Sequence, residues 1–261
     1  MKKNPIEVQH LNSGDFRAAP FEKVILPLGS LESHGAHLPF GTDAITAYMI
    51  ALDIAAKLPK TVVLPPVNYG VSEHYKDFPF TITVSFETQI AFIRDILESV
   101  YREGIRKVFI MNGHDGNIAP IEVASRSAKV AHPDFKIVSL DAWWMMIGEI
   151  LPPDFFQVWK GLGHAGEGET SICLELFPEL CNPSKAVGVV PQLPKYLDVK
   201  WLFNELTNVG ATGDPTKATP AKGKKMREVL VDAMVKALSD LDAKGWDWRS
   251  PEVIAGAKTS R

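Results

Sequence analysis

The sequence predicts an α/β fold in which a mostly parallel sheet is flanked by helices on both faces. Two observations predict it. Short β-branched apolar runs alternate with stretches of helical periodicity between residues 24 and 140. Glycine-rich turns carrying His, Asp and Glu follow the strand candidates, and loops after strands are where open α/β sheets place their sites.

The elements follow in order. Residues 24–28 read as a short buried strand. Residues 43–58 carry Ile45, Met49, Leu52 and Ala56 at near-helical spacing. A second β-branched run, 61–64, is stopped by Pro65-Pro66. Thr alternates with Ile and Val over 81–85, which predicts a strand there. Residues 86–102 predict an amphipathic helix with Ile90, Ile93, Leu97 and Val100 on one face, ended by Gly104. Residues 107–111 read as a third strand, 117–131 as a helix and 135–140 as a fourth strand. This βαβαβ order is what makes the sheet parallel. Trp143-Trp144-Met145-Met146 opens a helix or lid that Pro152-Pro153 breaks. A short helix covers 168–177. Residues 182–218, rich in Pro, Asn, Gly and Thr, predict long loops of the kind found at functional sites or interfaces. Thr219 as N-cap and Pro220 behind it start a last helix that runs to about residue 243. With no repeat, low-complexity tract or linker, residues 1–261 are expected to form one domain.

Hydrophobic residues make up 46% of the 261, enough for a sizeable core. The formal net charge of −3 comes without a basic run, so the electrostatic footprint of a nucleic-acid binder is missing. Met1-Lys2-Lys3 is followed by polar and charged residues, which argues against a secretory signal. No apolar run approaches the ~18–20 residues of a membrane span. Cys173 and Cys181 lie in one helix-and-turn region, so no disulfide framework is expected and a cytoplasmic location is the default.

Three turns carry the chemistry, and they hold four of the seven histidines. The segment 29–43 contains Glu32, His34, His37 and Asp43. Glu32 and His34 are two residues apart, so in extended backbone they face one side. Asp43 follows a Pro-Phe-Gly break at the start of a helix. Any one of these alone reads as a polar loop residue. Together, at a strand end beside helix N-termini, they read as ligands for zinc, manganese or iron. His37 more naturally orients the loop.

The segment 111–117 places His114 in a strand-to-helix turn between Gly113 and Gly116, where it reads as a further ligand. Asp115 beside it reads as a pocket residue, and Asn112 and Asn117 as braces of the turn. The segment 163–170 holds His164, Glu167 and Glu169, which have acid/base and ligand roles open to them. One carboxylate there would serve as general base. Residues 161–166 also spell G-x-G-x-x-G. Their late position, the doubtful strand at 155–159 and the central His set a dinucleotide site aside. His74 is a candidate substrate contact, and Cys173 reads as core.

Residues 29–43, 112–117 and 163–171, with Gly213-Asp214-Pro215 and Ala218-Thr219, resemble the creatininase family of metalloenzymes over about residues 20–240. The resemblance implies a creatininase-like parallel α/β fold, two divalent transition-metal ions and a homohexamer. It implies Glu32, His34, Asp43 and His114 as metal ligands, with Asp43 bridging. It also implies His164 as a catalytic or substrate-contacting histidine and Glu169 as an active-site carboxylate. Two departures stand out. Family creatininases have Tyr and then a ligand Glu after the histidine matching His114, where this chain has Asp115 and Gly116. Glu169 is therefore expected to complete the second metal site. The family's Phe-Pro-Gly-Thr reads Phe78-Pro79-Phe80-Thr81 here, and creatinine is not the expected substrate.

The expected activity is hydrolysis of a C–N bond in a small amide or cyclic amide by a metal-activated water. Glu167 or Glu169 would take the proton and His164 would donate to the leaving nitrogen, with His74 and Asp115 toward the substrate. The alternatives are C–C hydrolysis of a cyclic ketone such as an oxidised inositol, and a non-catalytic metal- or ligand-binding protein.

Overall fold

The computed structural model describes residues 6–194, 196–197 and 199–249. The remainder of the expected 1–261 unit lies outside the described residues. In chain order the elements are α1 (Ser13–Ala18), β1 (Lys23–Leu28), α2 (Thr42–Ala56), β2 (Thr61–Val63), α3 (Phe86–Arg102) and β3 (Lys107–Asn112). They continue with α4 (Ile118–Ala131), β4 (Lys136–Leu140), α5 (Trp143–Ile150), α6 (Glu167–Leu176) and α7 (Pro220–Ala243).

The strands form one parallel sheet in the order β2-β1-β3-β4. Every residue of β1 is buried, because both faces of the sheet are covered. On one face α2, α5, α6 and α7 pack a core around Ile50, Ile54, Phe109, Ile172 and Leu230. On the other, α3 and α4 close over Leu26, Ile93, Leu97, Ile110 and Ala124. From β1 the chain crosses to β2 on one side, then returns past β1 to β3 on the other. Right-handed crossovers require the connecting helix to change faces when the direction reverses, and α2 and α3 do. The carboxyl ends of β1 and β3 therefore flank the point where strand order diverges, the usual crevice of such sheets.

Local signals explain the boundaries. Ser85 caps α3 by accepting from Thr88 N–H, and Gly104, at φ +87°, lies just past its end. Thr219 caps α7 by accepting from Lys222 N–H, with Pro220 behind it. The strand expected at 81–85 is not formed. Only Ile82 makes a bridge, to Leu31, while Val84 N–H bonds Gly70 O and the Thr83 hydroxyl accepts from Ser72 N–H. Its alternating pattern serves a strap across two loops and not a sheet edge. Residues 155–159 form no strand, and among the described residues of 182–218 short 3₁₀ turns and one antiparallel bridge, Val189 to Gly213, interrupt the loops. Helix α1 was not foreseen: six residues behind an Asn12 cap are too few to show a period.

Candidate metal centre and its cavity

The loop after β1 carries Glu32 and His34, the first turn of α2 carries Asp43, and the turn after β3 carries His114. Gly113 makes their meeting possible. A Cβ on it would stand 2.3 Å from the Asp43 carbonyl, so only glycine lets the β3 turn lie against the start of α2. Opposite, the segment before α6 brings His164, and the first turn of α6 brings Glu169.

Glu32, His34, Asp43 and His114 are buried. The two oxygens of Asp43 face different histidines: Oδ1 lies 2.9 Å from His34 Nε2, and Oδ2 lies 3.2 Å from His114 Nδ1. Glu32 Oε1 lies 3.3 Å from His114 Nδ1 and 3.6 Å from His164 Nδ1. Glu169 Oε1 lies 3.9 Å from His34 Nε2, and its Oε2 accepts from Ala165 N–H at 2.5 Å. Three sets of side chains bring donor atoms within 4.8 Å of one another: Glu32–Asp43–His114, His34–Asp43–Glu169 and Glu32–His34–His164.

Each histidine is oriented by a backbone carbonyl. His34 Nδ1–H donates to Glu32 O at 3.1 Å, His114 Nε2–H to Val71 O at 2.8 Å, and His164 Nε2–H to Ser33 O at 2.6 Å. In each ring the other nitrogen faces the carboxylates. That is the arrangement that holds a metal-ligating imidazole in one tautomer. His37 donates to Ala165 O at 3.1 Å and so fastens the first loop to the third, the bracing role read for it.

The electrostatics test whether a cation fits. Burial works to lower the pKa of His34, but Asp43 and Glu169 outweigh it and raise it to about 10. His114 is likewise driven upward against burial by Glu32 and Asp43. Burial raises Glu169 to about 7. Burial and the neighbouring His34 lower His164 to about 3, so it is neutral at ordinary pH. The cluster thus draws positive charge to itself, and without a cation it collects protons on His34 and His114. Glu32 Oε1 and Asp43 Oδ2 are buried with no hydrogen-bond partner among the described residues, although His114 Nδ1 lies close by without hydrogen-bond alignment. Unpartnered buried carboxylate oxygens are costly unless a cation takes them. The donor set fits divalent transition metals.

The cluster floors a cavity of about 280 Å³ whose walls are largely apolar and include the aromatic residues Tyr75, Trp143, Trp159, Trp201 and Phe203. Asp115 lies on its lining, as expected. His74 does not. Its ring packs on Tyr75 at 4.3 Å and Trp201 at 5.1 Å, and it is Tyr75 that reaches the wall. Trp201 and Phe203 come from the long loop, where composition gave only the hint that such loops are functional.

Glu167 stands apart from the cluster. Its carboxylate accepts from the N–H groups of Gln157 at 2.9 Å and Val158 at 3.0 Å and pairs with the Lys222 ammonium. It lies neither in the donor sets nor on the cavity wall. The expected role as base fails for a geometric reason: Glu167 and Glu169 are two residues apart on a helix, so they project to different sides. Glu167→Gln would remove the carboxylate paired with Lys222, leaving it Lys217 O at 3.1 Å, and weaken two backbone bonds. Chemical denaturation of the metal-free protein is expected to show a loss of about 1–3 kcal/mol, with metal uptake retained. Unchanged stability would deny Glu167 the bracing role.

Residues 9–238 match the family described as creatininase, creatinine amidohydrolase. The mycofactocin precursor peptide peptidase of Mycobacterium ulcerans (strain Agy99) is 28% identical over 229 residues, 83% of this chain and 84% of its own length. Creatinine amidohydrolase of Pseudomonas putida is 28% identical over 232 residues, 83% of this chain and 88% of its own. A manganese form of creatininase superposes with a TM-score of 0.79 at 25% identity, covering 90% of this chain and 98% of that one. A mutant creatininase of zinc–zinc type gives 0.78 at 25% identity, covering 90% and 97%.

Proposed function

The chain belongs to the creatininase family of hydrolases, and from that premise we propose that it cleaves a C–N bond of a small amide or cyclic amide at a two-metal centre. The observation that carries this reading is Asp43, whose two carboxylate oxygens each face a different histidine. Glu32, Asp43 and His114 would hold one ion, and His34, Asp43 and Glu169 the other, with Asp43 shared. Glu169 would stand in for the glutamate the family carries after the histidine, where this chain has Gly116. Zinc and manganese suit these donors. When bound, the ions would polarise the scissile carbonyl and lower the pKa of water.

The chain's own residues do the rest. With its Nε2–H held by Ser33 O, His164 turns an unprotonated Nδ1 toward the Glu32 oxygen. That nitrogen takes a proton from the attacking water and returns it to the leaving nitrogen. The sequence gives the water's proton to Glu167 or Glu169 and only the donor's half to His164; with Glu167 turned away and Glu169 taken as a ligand, both halves fall to His164. Tyr75, 4.5 Å from the His164 ring, and Phe203, at 5.0 Å, pack against that ring. The aromatic walls exclude water and leave orientation of the substrate to a few polar groups, Asp115 among them. We read the chain as one such catalytic unit, assembled as the homohexamer the family resemblance implies. The free thiols of Cys173 and Cys181 support a cytoplasmic location.

The test is to strip the protein, reload it with zinc or manganese, and assay cyclic amides, N-formyl amines, short peptides and a cyclic polyhydroxy ketone. Amide cleavage that appears only in the reloaded protein is expected. Cleavage of the ketone alone would establish C–C hydrolysis instead, and full metal loading without turnover would establish a binding protein. Creatinine is expected to turn over well below ordinary enzyme rates of ~1–10³ per second. The reason is local. A Cβ on Gly116 would stand 1.9 Å from Val71 O, so the creatininase glutamate has no room here. Creatinine turnover at ordinary rates would show that this difference does not set specificity.

A further inference from the structure

Ser72 lies outside the three histidine-bearing turns, in the segment between β2 and α3, yet its side chain is fully buried at the centre. Its hydroxyl donates to Glu32 Oε2. It lies 2.5 Å from Ser30 Oγ and 3.2 Å from His114 Nε2. A serine hydroxyl has one proton and two lone pairs. The proton is taken by Glu32, because a carboxylate can only accept. Ser30 must therefore donate to Ser72. His114 Nε2–H, aimed first at Val71 O, shares its proton with Ser72 as a second acceptor.

We propose that Ser72 is a positioning residue of the metal centre, which selects the Glu32 rotamer and the His114 tautomer together. By occupying Oε2 it leaves Oε1 as the glutamate oxygen turned into the cluster, the atom found without a partner. By accepting beside Val71 O it keeps the proton on His114 Nε2 and the lone pair on Nδ1. The position of Ser72 is itself fixed, since its N–H donates to the Thr83 hydroxyl at 2.8 Å and that hydroxyl lies 3.4 Å from Gly70 O. The 81–85 strap thus has a function: it carries the residue that seats Ser72. Glu32 from the β1 loop and His114 from the β3 turn are set by one hydroxyl from a third segment.

This inference rests on the two-metal reading. The experiment is a zinc titration of the metal-stripped protein against a chromophoric chelator, for the wild type, Ser72→Ala and Ser30→Ala, with melting curves of metal-free and zinc-loaded forms. Ser72→Ala is expected to weaken one of the two zinc affinities by about 10–100-fold and the other by much less. Ser30→Ala, which loosens the Ser72 hydroxyl without removing it, is expected to give a smaller loss at the same site; it serves as the deciding variant if Ser72→Ala does not fold. A purely structural role would lower both melting points equally and leave zinc affinity unchanged, and that result overturns the proposal. If the wild type takes up no zinc, the two-metal reading falls and the proposal with it. If the wild type binds and both variants bind equally well, the proposal alone falls.

Discussion

Asp43→Ala is expected to empty both ion positions at once and abolish turnover. Asp43 is the one side chain shared by the Glu32–Asp43–His114 and His34–Asp43–Glu169 sets. Its removal takes a donor from each and leaves two cations to face one another without the anion between them. Metal content should drop from about two ions per chain to well below one. The metal-free fold should survive, since the substitution thins a buried group of three carboxylates and creates only a small gap; melting of the metal-free variant near the wild-type temperature checks this. Asp43→Asn keeps the shape without the charge, and it should fall between the two. A variant with full metal content would reject the bridging role.

His164→Asn is expected to separate chemistry from metal binding. The side chain acts in the proposed reaction as a proton carrier, so kcat should fall by roughly 10²–10⁴-fold, measured on whichever amide the reloaded wild type cleaves. Both ions should stay. The outcome is a real contest, because His164 Nδ1 also lies within the Glu32–His34–His164 set. Metal lost in step with activity would make His164 a ligand, and full activity would make it scaffold.

Much of the cluster was legible in the chain because the residues proposed as ligands sit at places with strong local signals. Glycines beside histidines after β1 and β3 mark turns that only special backbone permits, and strand order brings those two turns together. Glu32, His34, Asp43 and His114 are proposed from that logic, and Glu169 from the family resemblance, which has a glutamate where this chain has Gly116. The Glu167–Glu169 pair shows where it stops. Helix geometry says that they diverge, but only packing against Gln157, Val158 and Lys222 decides which one faces away. The aromatic wall was less legible still. Tyr75, Trp143, Trp201 and Phe203 share no local pattern and converge only through tertiary packing. The 81–85 segment misled because alternation reports two faces and not what covers them.

The centre itself is tested most directly by elemental analysis of gently purified protein, followed by zinc and manganese titration of the stripped form. The account predicts about two transition-metal ions per chain, with binding lost in Asp43→Ala. A wild-type chain that carries no such metal and takes none up on titration would contradict it.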